Sequence, residues 1–218
     1  MVSTRYVTVA CLFVTCLIMS NILAVKLTEV DGRVLDAGNV VFPISYIIGD
    51  VLTEVWGFKA ARRVIWIGFA CNLLAALAIQ AAIHLPAAGF WQDQKAYETV
   101  LGFSWRLLLA SFCAFLVGEF TNSAIMAKMK VATEGRWLWS RTISSTLVAE
   151  ALDSTIFVTI AFAGTGAPLL NTITTNWVLK SGYEIIATPL TYLAVGYLKR
   201  AEGVDVYDRD TRLVPIEL

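Results

Sequence analysis

Residues Val64–His84 read VIWIGFACNLLAALAIQAAIH, a run that contains no Asp, Glu, Lys or Arg. A helix that crosses the hydrocarbon core of a bilayer needs roughly 20 predominantly apolar residues, so this run is long enough to span. A helix that is apolar on all sides must be buried, either in a large core or in lipid. The run therefore predicts that the chain is an integral membrane protein.

The composition of the whole chain supports a membrane environment. Its 218 residues are 57% hydrophobic and 16% charged, whereas soluble domains carry roughly 45–50% apolar and about 25% charged residues. The length suits one helical bundle but not a bundle plus a large soluble domain. The 17 basic and 17 acidic residues balance, so no excess of positive charge indicates nucleic acid as a partner. The expected partner is the lipid bilayer.

Five further apolar runs accompany the first and predict a six-transmembrane-helix bundle of the all-α class. The six predicted spans are Tyr6–Val25, Val40–Trp56, Val64–His84, Trp105–Met129, Thr142–Ala163 and Ile173–Leu198. Between the third and fourth spans, residues 85–104 predict an exposed loop with room for a short interfacial helix. The predicted organisation is a transmembrane transporter domain over 1–200 and a charged cytoplasmic tail over 201–218.

The basic residues predict the orientation, because cytoplasmic loops carry an excess of Lys and Arg. Four of the seventeen fall on one side of the predicted bundle: Lys26, Arg33, Lys95 and Arg106. Twelve fall on the other side: Arg5, Lys59, Arg62, Arg63, Lys128, Lys130, Arg136, Arg141, Lys199, Arg200, Arg209 and Arg212. We therefore expect cytoplasmic N and C termini and a multi-pass protein of the cell (inner) membrane.

Two short phrases hint at internal similarity. Gly49-Asp50 precedes Thr53-Glu54 in the second predicted span, and Gly118-Glu119 precedes Thr121-Asn122 in the fourth. Inverted repeats are common in transporters, so the bundle is compatible with two pseudo-repeated three-helix halves.

Charged residues inside the predicted spans point to function. A charge at the centre of a membrane helix costs roughly 2.5–3.5 kcal/mol on insertion scales and usually marks a substrate or ion path. Three pairs share a helix face by their spacing of three or four residues, and in one of them, Lys180 and Glu184, the charges could neutralise each other. The seven charges are Asp50, Glu54, Glu119, Glu150, Asp153, Lys180 and Glu184.

Metal and cofactor chemistry is not indicated. The four cysteines (Cys11, Cys16, Cys71 and Cys113) lie in apolar runs without a CxxC pair, and His84 is the single histidine. A structural zinc site needs about four closely spaced Cys or His ligands. We expect no metal, no cofactor and no catalytic residue.

Several phrases, taken in order, resemble a known family. They are FPISYIIGDVLTEVWG over 42–57, GEFTNS over 118–123 and RTISST over 141–146 followed by Glu150 and Asp153-Ser154. Together with Ser20-Asn21 and the stretch from Lys180 to Leu190, they resemble the vitamin uptake transporter family, whose members include queuosine precursor transporters. The resemblance runs from about Ser20 to Leu198. Trp56 departs from it, because the family often has Tyr before the glycine.

The resemblance implies import of a 7-deazaguanine such as 7-cyano-7-deazaguanine, bound near the midplane. A carboxylate of Glu119, Glu150 or Asp153 can accept both donors of a guanine-like edge. An amide such as Asn21 or Asn122 can donate to the carbonyl of the base. The rings of Tyr46 and Trp177 are candidates for stacking on it, which is worth roughly 1–3 kcal/mol per base. The full predicted substrate-binding set is Asn21, Tyr46, Asp50, Glu54, Glu119, Asn122, Glu150, Asp153, Trp177, Lys180 and Glu184.

Three other classes compete with a stand-alone carrier. A substrate-binding subunit of an energy-coupling-factor vitamin transporter would have a similar size, and it would need an ATP-driven partner because this chain has no P-loop. An intramembrane enzyme is disfavoured, because Ile47 replaces the first glycine of a Gly-x-Gly-Asp motif and no HExxH is present. A channel fits poorly, because the acids are paired rather than arranged in a ring. Proton coupling, facilitated diffusion and a homo-oligomeric state all stay open.

Overall fold

The structure, a computed structural model, describes residues 3–30, 33–102, 104–166 and 168–216. Helices dominate these ranges, and six of them correspond to the six predicted spans. The helices are α1 Thr4–Leu23, α2 Phe42–Trp56, α3 Phe58–His84, α4 Gln94–Leu101, α5 Trp105–Ala132, α6 Leu138–Phe162 and α7 Leu169–Glu202. The short α4 lies in the predicted loop between the third and fourth spans.

Four stretches are long and apolar enough to cross a membrane: Thr4–Leu23, Phe58–His84, Leu138–Phe162 and one that contains α5. Helix α2 is shorter: its 15 residues extend about 22 Å at 1.5 Å per residue, less than the roughly 30 Å of a hydrocarbon core. Helix α7 has 34 residues but carries charges along its length. The chain is therefore a multi-pass, mainly helical membrane protein.

A short pair of strands accompanies the helices. Strands β1 Leu27–Val30 and β2 Arg33–Asp36 pair antiparallel between α1 and α2, with Leu27 opposite Asp36 and Val30 opposite Arg33. A 3₁₀ helix over Ala37–Val40 leads from β2 to α2. In the sequence, the dipeptide Asp31-Gly32 is a hairpin signal, which a search for long apolar runs does not register.

Helix α2 is the centre of the bundle. It packs against α1, α3, α5 and α7, and most of its residues from Pro43 to Val55 are buried. Neighbouring helices rather than lipid surround it. This explains how a helix that carries Asp50 and Glu54 can lie within a membrane domain, because its charges face protein partners.

A buried ion network joins four helices at the C-terminal end of α2. Glu54 is fully buried and accepts two hydrogen bonds from Arg141 of α6, at 2.8 Å from Nε and 2.7 Å from Nη2. Lys199 of α7 lies 2.6 Å from the same carboxylate, and Lys130 of α5 lies 3.6 Å away. A buried carboxylate needs such partners, because removing an ion from water costs several kcal/mol.

Asp205, just beyond α7, extends this network. Its carboxylate lies 2.5 Å from Lys130 and 2.8 Å from Lys199. Partial burial acts to raise the pKa of Asp205, but the hydrogen bonds from both lysines outweigh burial and lower the pKa. Its stabilising contribution is therefore present near neutral pH and is lost as the pH falls through the lowered pKa. Asp205 is 42% exposed, so solvent screens this contribution.

The C-terminal segment 203–216 folds back over the end of the bundle. Asp208 is buried and accepts a hydrogen bond of 2.8 Å from the backbone N–H of Phe58, the first residue of α3. Further along the segment, the Pro215 carbonyl accepts a bond of 2.8 Å from the Trp66 indole. Gly57 permits this approach, because its φ is +82° and a Cβ there would lie 2.7 Å from the Val206 side chain.

Replacing Arg141 tests the ion network. Arg141→Ala leaves a buried carboxylate without its two-pronged partner, and breaking such a pair costs about 3–5 kcal/mol. We expect the midpoint of thermal unfolding in detergent to fall by roughly 10 °C. Arg141→Lys should lose less, because a charge remains but the planar fork is gone. Arg136→Ala is the matched control, because Arg136 is exposed and contributes only its backbone carbonyl to Arg141. A midpoint unchanged in Arg141→Ala would contradict the assignment.

Replacing Asp208 tests the C-terminal segment. A carboxylate at a helix N-terminus satisfies an otherwise unpaired N–H and complements the helix dipole. Loss of such a cap costs about 1 kcal/mol, so Asp208→Ala should lower the unfolding midpoint by roughly 2–4 °C. Asp210→Ala, at an exposed position two residues away, should leave it unchanged. Equal midpoints for the two variants would show that the segment contributes nothing to stability.

Candidate functional site

A polar cavity lies between α1, α2, α5, α6 and α7, at the end of α2 opposite the Glu54 network. Its volume is about 90 Å³, several times what one water molecule needs. Its apolar wall includes three aromatic rings, from Phe42, Phe115 and Phe157. Its polar wall consists of Ser20, Asn21, Asn39, Ser111, Asp153, Ser154, Asn176 and Lys180. The cavity therefore combines flat apolar surfaces with amide, carboxylate and ammonium groups, as small-molecule sites do.

Lys180 organises the charges at this cavity. Its ammonium lies 2.5 Å from Asp153 and 3.3 Å from Glu150, both on α6, and 4.2 Å from the centre of the Phe42 ring. Lys180 pairs with these two acids of α6 instead of with Glu184 on its own helix, the pairing that the spacing allowed. Two carboxylates on the neighbouring helix attract the lysine more strongly than the single buried carboxylate of Glu184, four residues along the same helix.

Glu119 of α5 lies deeper than the cavity and is fully buried. Neither of its carboxylate oxygens has a hydrogen-bond partner among the described residues, and the same holds for the hydroxyl of Tyr46. Close packing here depends on glycine. A Cβ on Gly49 would lie 2.9 Å from Glu119 Oε2, and a Cβ on Gly118 would lie 2.7 Å from the Tyr46 hydroxyl.

The two similar phrases of the sequence face each other across α2 and α5. Asn122 Nδ2 donates a hydrogen bond of 2.7 Å to Asp50 Oδ1, and the hydroxyls of Thr53 and Ser123 lie 3.1 Å apart. Within the described ranges, the second oxygen of Asp50 and the amide oxygen of Asn122 have no partner. Unsatisfied buried oxygens are rare in proteins, so this contact region has unused capacity to bind hydrogen-bond donors.

The structure thus divides the predicted residues into three groups. Asn21, Asp153 and Lys180 line the cavity. Two of the predicted residues lie apart from the cavity, since Glu54 belongs to the network at the other end and the Trp177 indole donates to the Leu147 carbonyl at 2.9 Å. The deep group consists of Tyr46, Asp50, Glu119, Asn122, Glu150 and Glu184, all buried.

Sequence reasoning missed part of the cavity wall. It selected no phenylalanine, although Phe42 begins one of the quoted phrases, and it did not single out Asn39. A phenylalanine in a membrane helix carries no distinguishing signal, because most such residues face lipid or core. Only the packing of α2, α5 and α6 around the cavity identifies these rings.

A metal site does not emerge from the described side chains. Within the ranges that the structure covers, no group of three His, Cys, Asp or Glu residues lies close enough to hold an ion. The cavity instead suits a neutral or polar organic molecule, for which carboxylate, amide and ring surfaces are the usual contacts.

Comparison with known proteins confirms the family resemblance. The family model described as "Putative vitamin uptake transporter" matches residues 36–194. A "Probable queuosine precursor transporter" of Bacillus subtilis (strain 168) is 28% identical over 180 residues, which cover 81% of this chain and 79% of the relative. A "Queuosine precursor transporter" of Escherichia coli (strain K12) is 27% identical over 121 residues, or 56% and 52% of the two chains.

A third relative, a "Probable queuosine precursor transporter" of Haemophilus influenzae (strain ATCC 51907 / DSM 11121 / KW20 / Rd), is 20% identical over 133 residues. These cover 61% of this chain and 54% of that relative. No solved structure matches the chain significantly. The family match covers well over half of the 218 residues, and the chain therefore belongs to the putative vitamin uptake transporter family, which is a family of membrane transporters and not of enzymes.

Proposed function

We propose that this transporter imports a queuosine precursor of the 7-deazaguanine class, such as 7-cyano-7-deazaguanine. The observation that carries the proposal is the cavity, in which Asp153 and Lys180 lie beside asparagine amides and three phenylalanine rings. A 7-deazaguanine is a flat bicycle with a donor-rich edge and a carbonyl, and each of these features has a counterpart in the wall. The names of the relatives, which share up to 28% identity with this chain, support the same substrate class.

Asp153 is the carboxylate best placed to read the edge of the base. Of the three acids considered for this role, Glu119, Glu150 and Asp153, it alone lines the cavity. One of its oxygens accepts from Lys180. A carboxylate has about four acceptor positions, so Asp153 can still accept from the ring N–H and the exocyclic amine. The ion pair with Lys180 holds the Asp153 carboxylate in place.

Amide and aromatic groups complete the proposed binding site. Asn21 lines the cavity and is held by contacts to Ser111, at 3.1 Å, and to the Leu17 carbonyl, at 3.3 Å. The second N–H of its amide can donate to a carbonyl of the base. Phe42 and Phe157 offer ring faces for stacking. A preorganised site of this kind loses little entropy when the substrate binds.

The proposed topology has six spans with both termini in the cytoplasm of the cell's inner membrane. It rests first on the twelve basic residues on one side of the bundle. It rests second on α2, which counts as a span because other helices surround it in place of lipid. In this orientation the cavity lies in the outer half of the bundle. The Glu54 network and the C-terminal segment then close the cytoplasmic end, so the structure corresponds to a state closed to the inside.

Uptake of labelled 7-cyano-7-deazaguanine tests the proposed function. Cells that cannot make queuosine precursors should take up the base and form queuosine in tRNA only when they carry this protein. Asp153→Asn removes a charge-assisted contact worth about 1.5–3 kcal/mol and should reduce uptake roughly 10–100-fold. The fold should survive, because Lys180 keeps Glu150 as its partner.

The matched control for that experiment is Asp93→Asn, an equivalent change at an exposed position outside the cavity. It should transport at the wild-type rate. Immunoblots of isolated membranes must show equal amounts of both variants. Normal uptake by Asp153→Asn would exclude Asp153 as the group that reads the base. No uptake by the wild-type protein would reject this substrate class.

A further inference from the structure

We propose that Glu119 is a proton-binding site that couples inward movement of the substrate to inward movement of a proton. The inference rests on the proposed transport function and adds the source of its energy. It follows from the position of this carboxyl group in the bundle, which differs from that of the other buried acids.

Glu119 has no oppositely charged partner among the residues that the structure describes. Glu54 is held by Arg141 and Lys199, and Glu150 and Asp153 share Lys180. Glu119 is 0% exposed, forms no ion pair in the described ranges, and both of its oxygens lack hydrogen bonds. An ionised carboxylate with neither water nor a partner is strongly disfavoured. A proton bound to one oxygen of Glu119 neutralises the carboxylate and requires no other ligand.

The described groups around Glu119 are acids and a tyrosine hydroxyl, so none of them can neutralise its charge. Helix α2 contributes the Tyr46 hydroxyl and Asp50, helix α6 contributes Glu150 and Asp153, and helix α7 contributes Glu184, which all act on Glu119 or on its immediate neighbours. The nearby cation, Lys180, is engaged by the two acids of α6. Like charges on three sides repel an ionised Glu119.

Tyr46 connects this acid to the cavity. A Cβ on Gly118 would lie 2.7 Å from the Tyr46 hydroxyl oxygen and 3.3 Å from Cβ of Asp153. The Tyr46 hydroxyl therefore lies beside Gly118, the residue before Glu119, and close to the acid that lines the cavity. A base bound at Asp153 changes the charge and the hydrogen-bond demand next to Tyr46, and in this way it can influence whether Glu119 holds its proton.

A proton suits this position better than a metal ion. The described residues contain no group of three His, Cys, Asp or Glu side chains that could hold a metal ion. A Cβ on Gly49 would lie 2.9 Å from Oε2 of Glu119, so this carboxyl group is packed closely against α2. A proton adds no volume at such a position.

The transport cycle conserves charge and protons. The Glu119 carboxylate takes a proton from the outer side and becomes a neutral carboxylic acid. After the cytoplasmic end opens, the acid releases the proton to the inside and returns to the carboxylate. With an uncharged base, each cycle carries one positive charge inward, so a pH gradient and a membrane potential both drive accumulation.

Proteoliposomes that contain the full chain test the coupling. The probe is labelled 7-cyano-7-deazaguanine, the potential is clamped at zero, and the outside is one pH unit more acidic. The wild-type protein should accumulate the base up to about tenfold, since one proton per base transfers the full tenfold gradient, and a dye inside should report acidification when the base is added. In Glu119→Gln, uptake with the gradient should equal uptake without it. Glu119→Asp keeps a carboxyl group and should restore the gradient dependence.

Infrared difference spectroscopy provides a readout that does not depend on transport. The purified wild-type protein should show the carbonyl band of a buried protonated carboxyl group, and this band should be absent in Glu119→Gln and shifted in Glu119→Asp. Persistence of the band in Glu119→Gln overturns the assignment of the proton to this residue, even if that variant transports nothing.

The outcomes separate the two proposals. Suppose that the wild-type protein exchanges labelled for unlabelled base but that a pH gradient does not change its uptake. This result overturns the coupling and leaves the proposed transport function intact. Accumulation driven by a Na⁺ gradient alone, or a Glu119→Gln protein that still responds to pH, also overturns it. Wild-type protein that neither exchanges nor accumulates the base rejects the proposed function itself, and the infrared band still decides whether Glu119 holds a proton.

Discussion

The bundle depends on one fully buried carboxylate, that of Glu54, on which four helices converge. Arg141 meets it with a two-pronged contact, and Lys199 approaches the same oxygen from α7. A charge in this position is tolerable only while its partners surround it. The ends of α2, α5, α6 and α7 are therefore fixed relative to one another. Any opening at this end must separate charges and admit water in the same step.

Helix α2 arranges the functional groups in sequence along its axis. Phe42 at its N-terminal end borders the cavity, Tyr46, Gly49 and Asp50 form the deep contact with α5, and Glu54 holds the opposite end closed. A short helix enclosed by protein can carry these polar groups at the depth of the membrane, where a lipid-facing helix could not. The physical cost of its acids is offset by contacts with the surrounding helices.

Much of the helical framework could be predicted from the sequence, because the apolar runs that a bilayer demands are long and unambiguous. The family resemblance was also readable, since several phrases occur in order. The antiparallel pair between α1 and α2 was not predicted, because a four-residue strand leaves little trace in hydropathy. The contact of Lys180 with α6 was not predicted, because spacing along one helix says nothing about the acids that a neighbouring helix presents. The rings of Phe115 and Phe157 became cavity walls only through packing, which local sequence does not encode.

The folded-back C-terminal segment changes where this protein can be altered without harm. Hydropathy places the end of the membrane domain near the end of α7, and a chain that ended there would look complete. Yet Asp208 caps α3, and the Pro215 carbonyl accepts a hydrogen bond from Trp66. The C-terminal segment is therefore part of the folded structure at this end of the bundle. A purification tag or fluorescent reporter joined closely behind Pro215 would therefore disturb the contact with α3. Reporters of this transporter belong on a long, flexible linker.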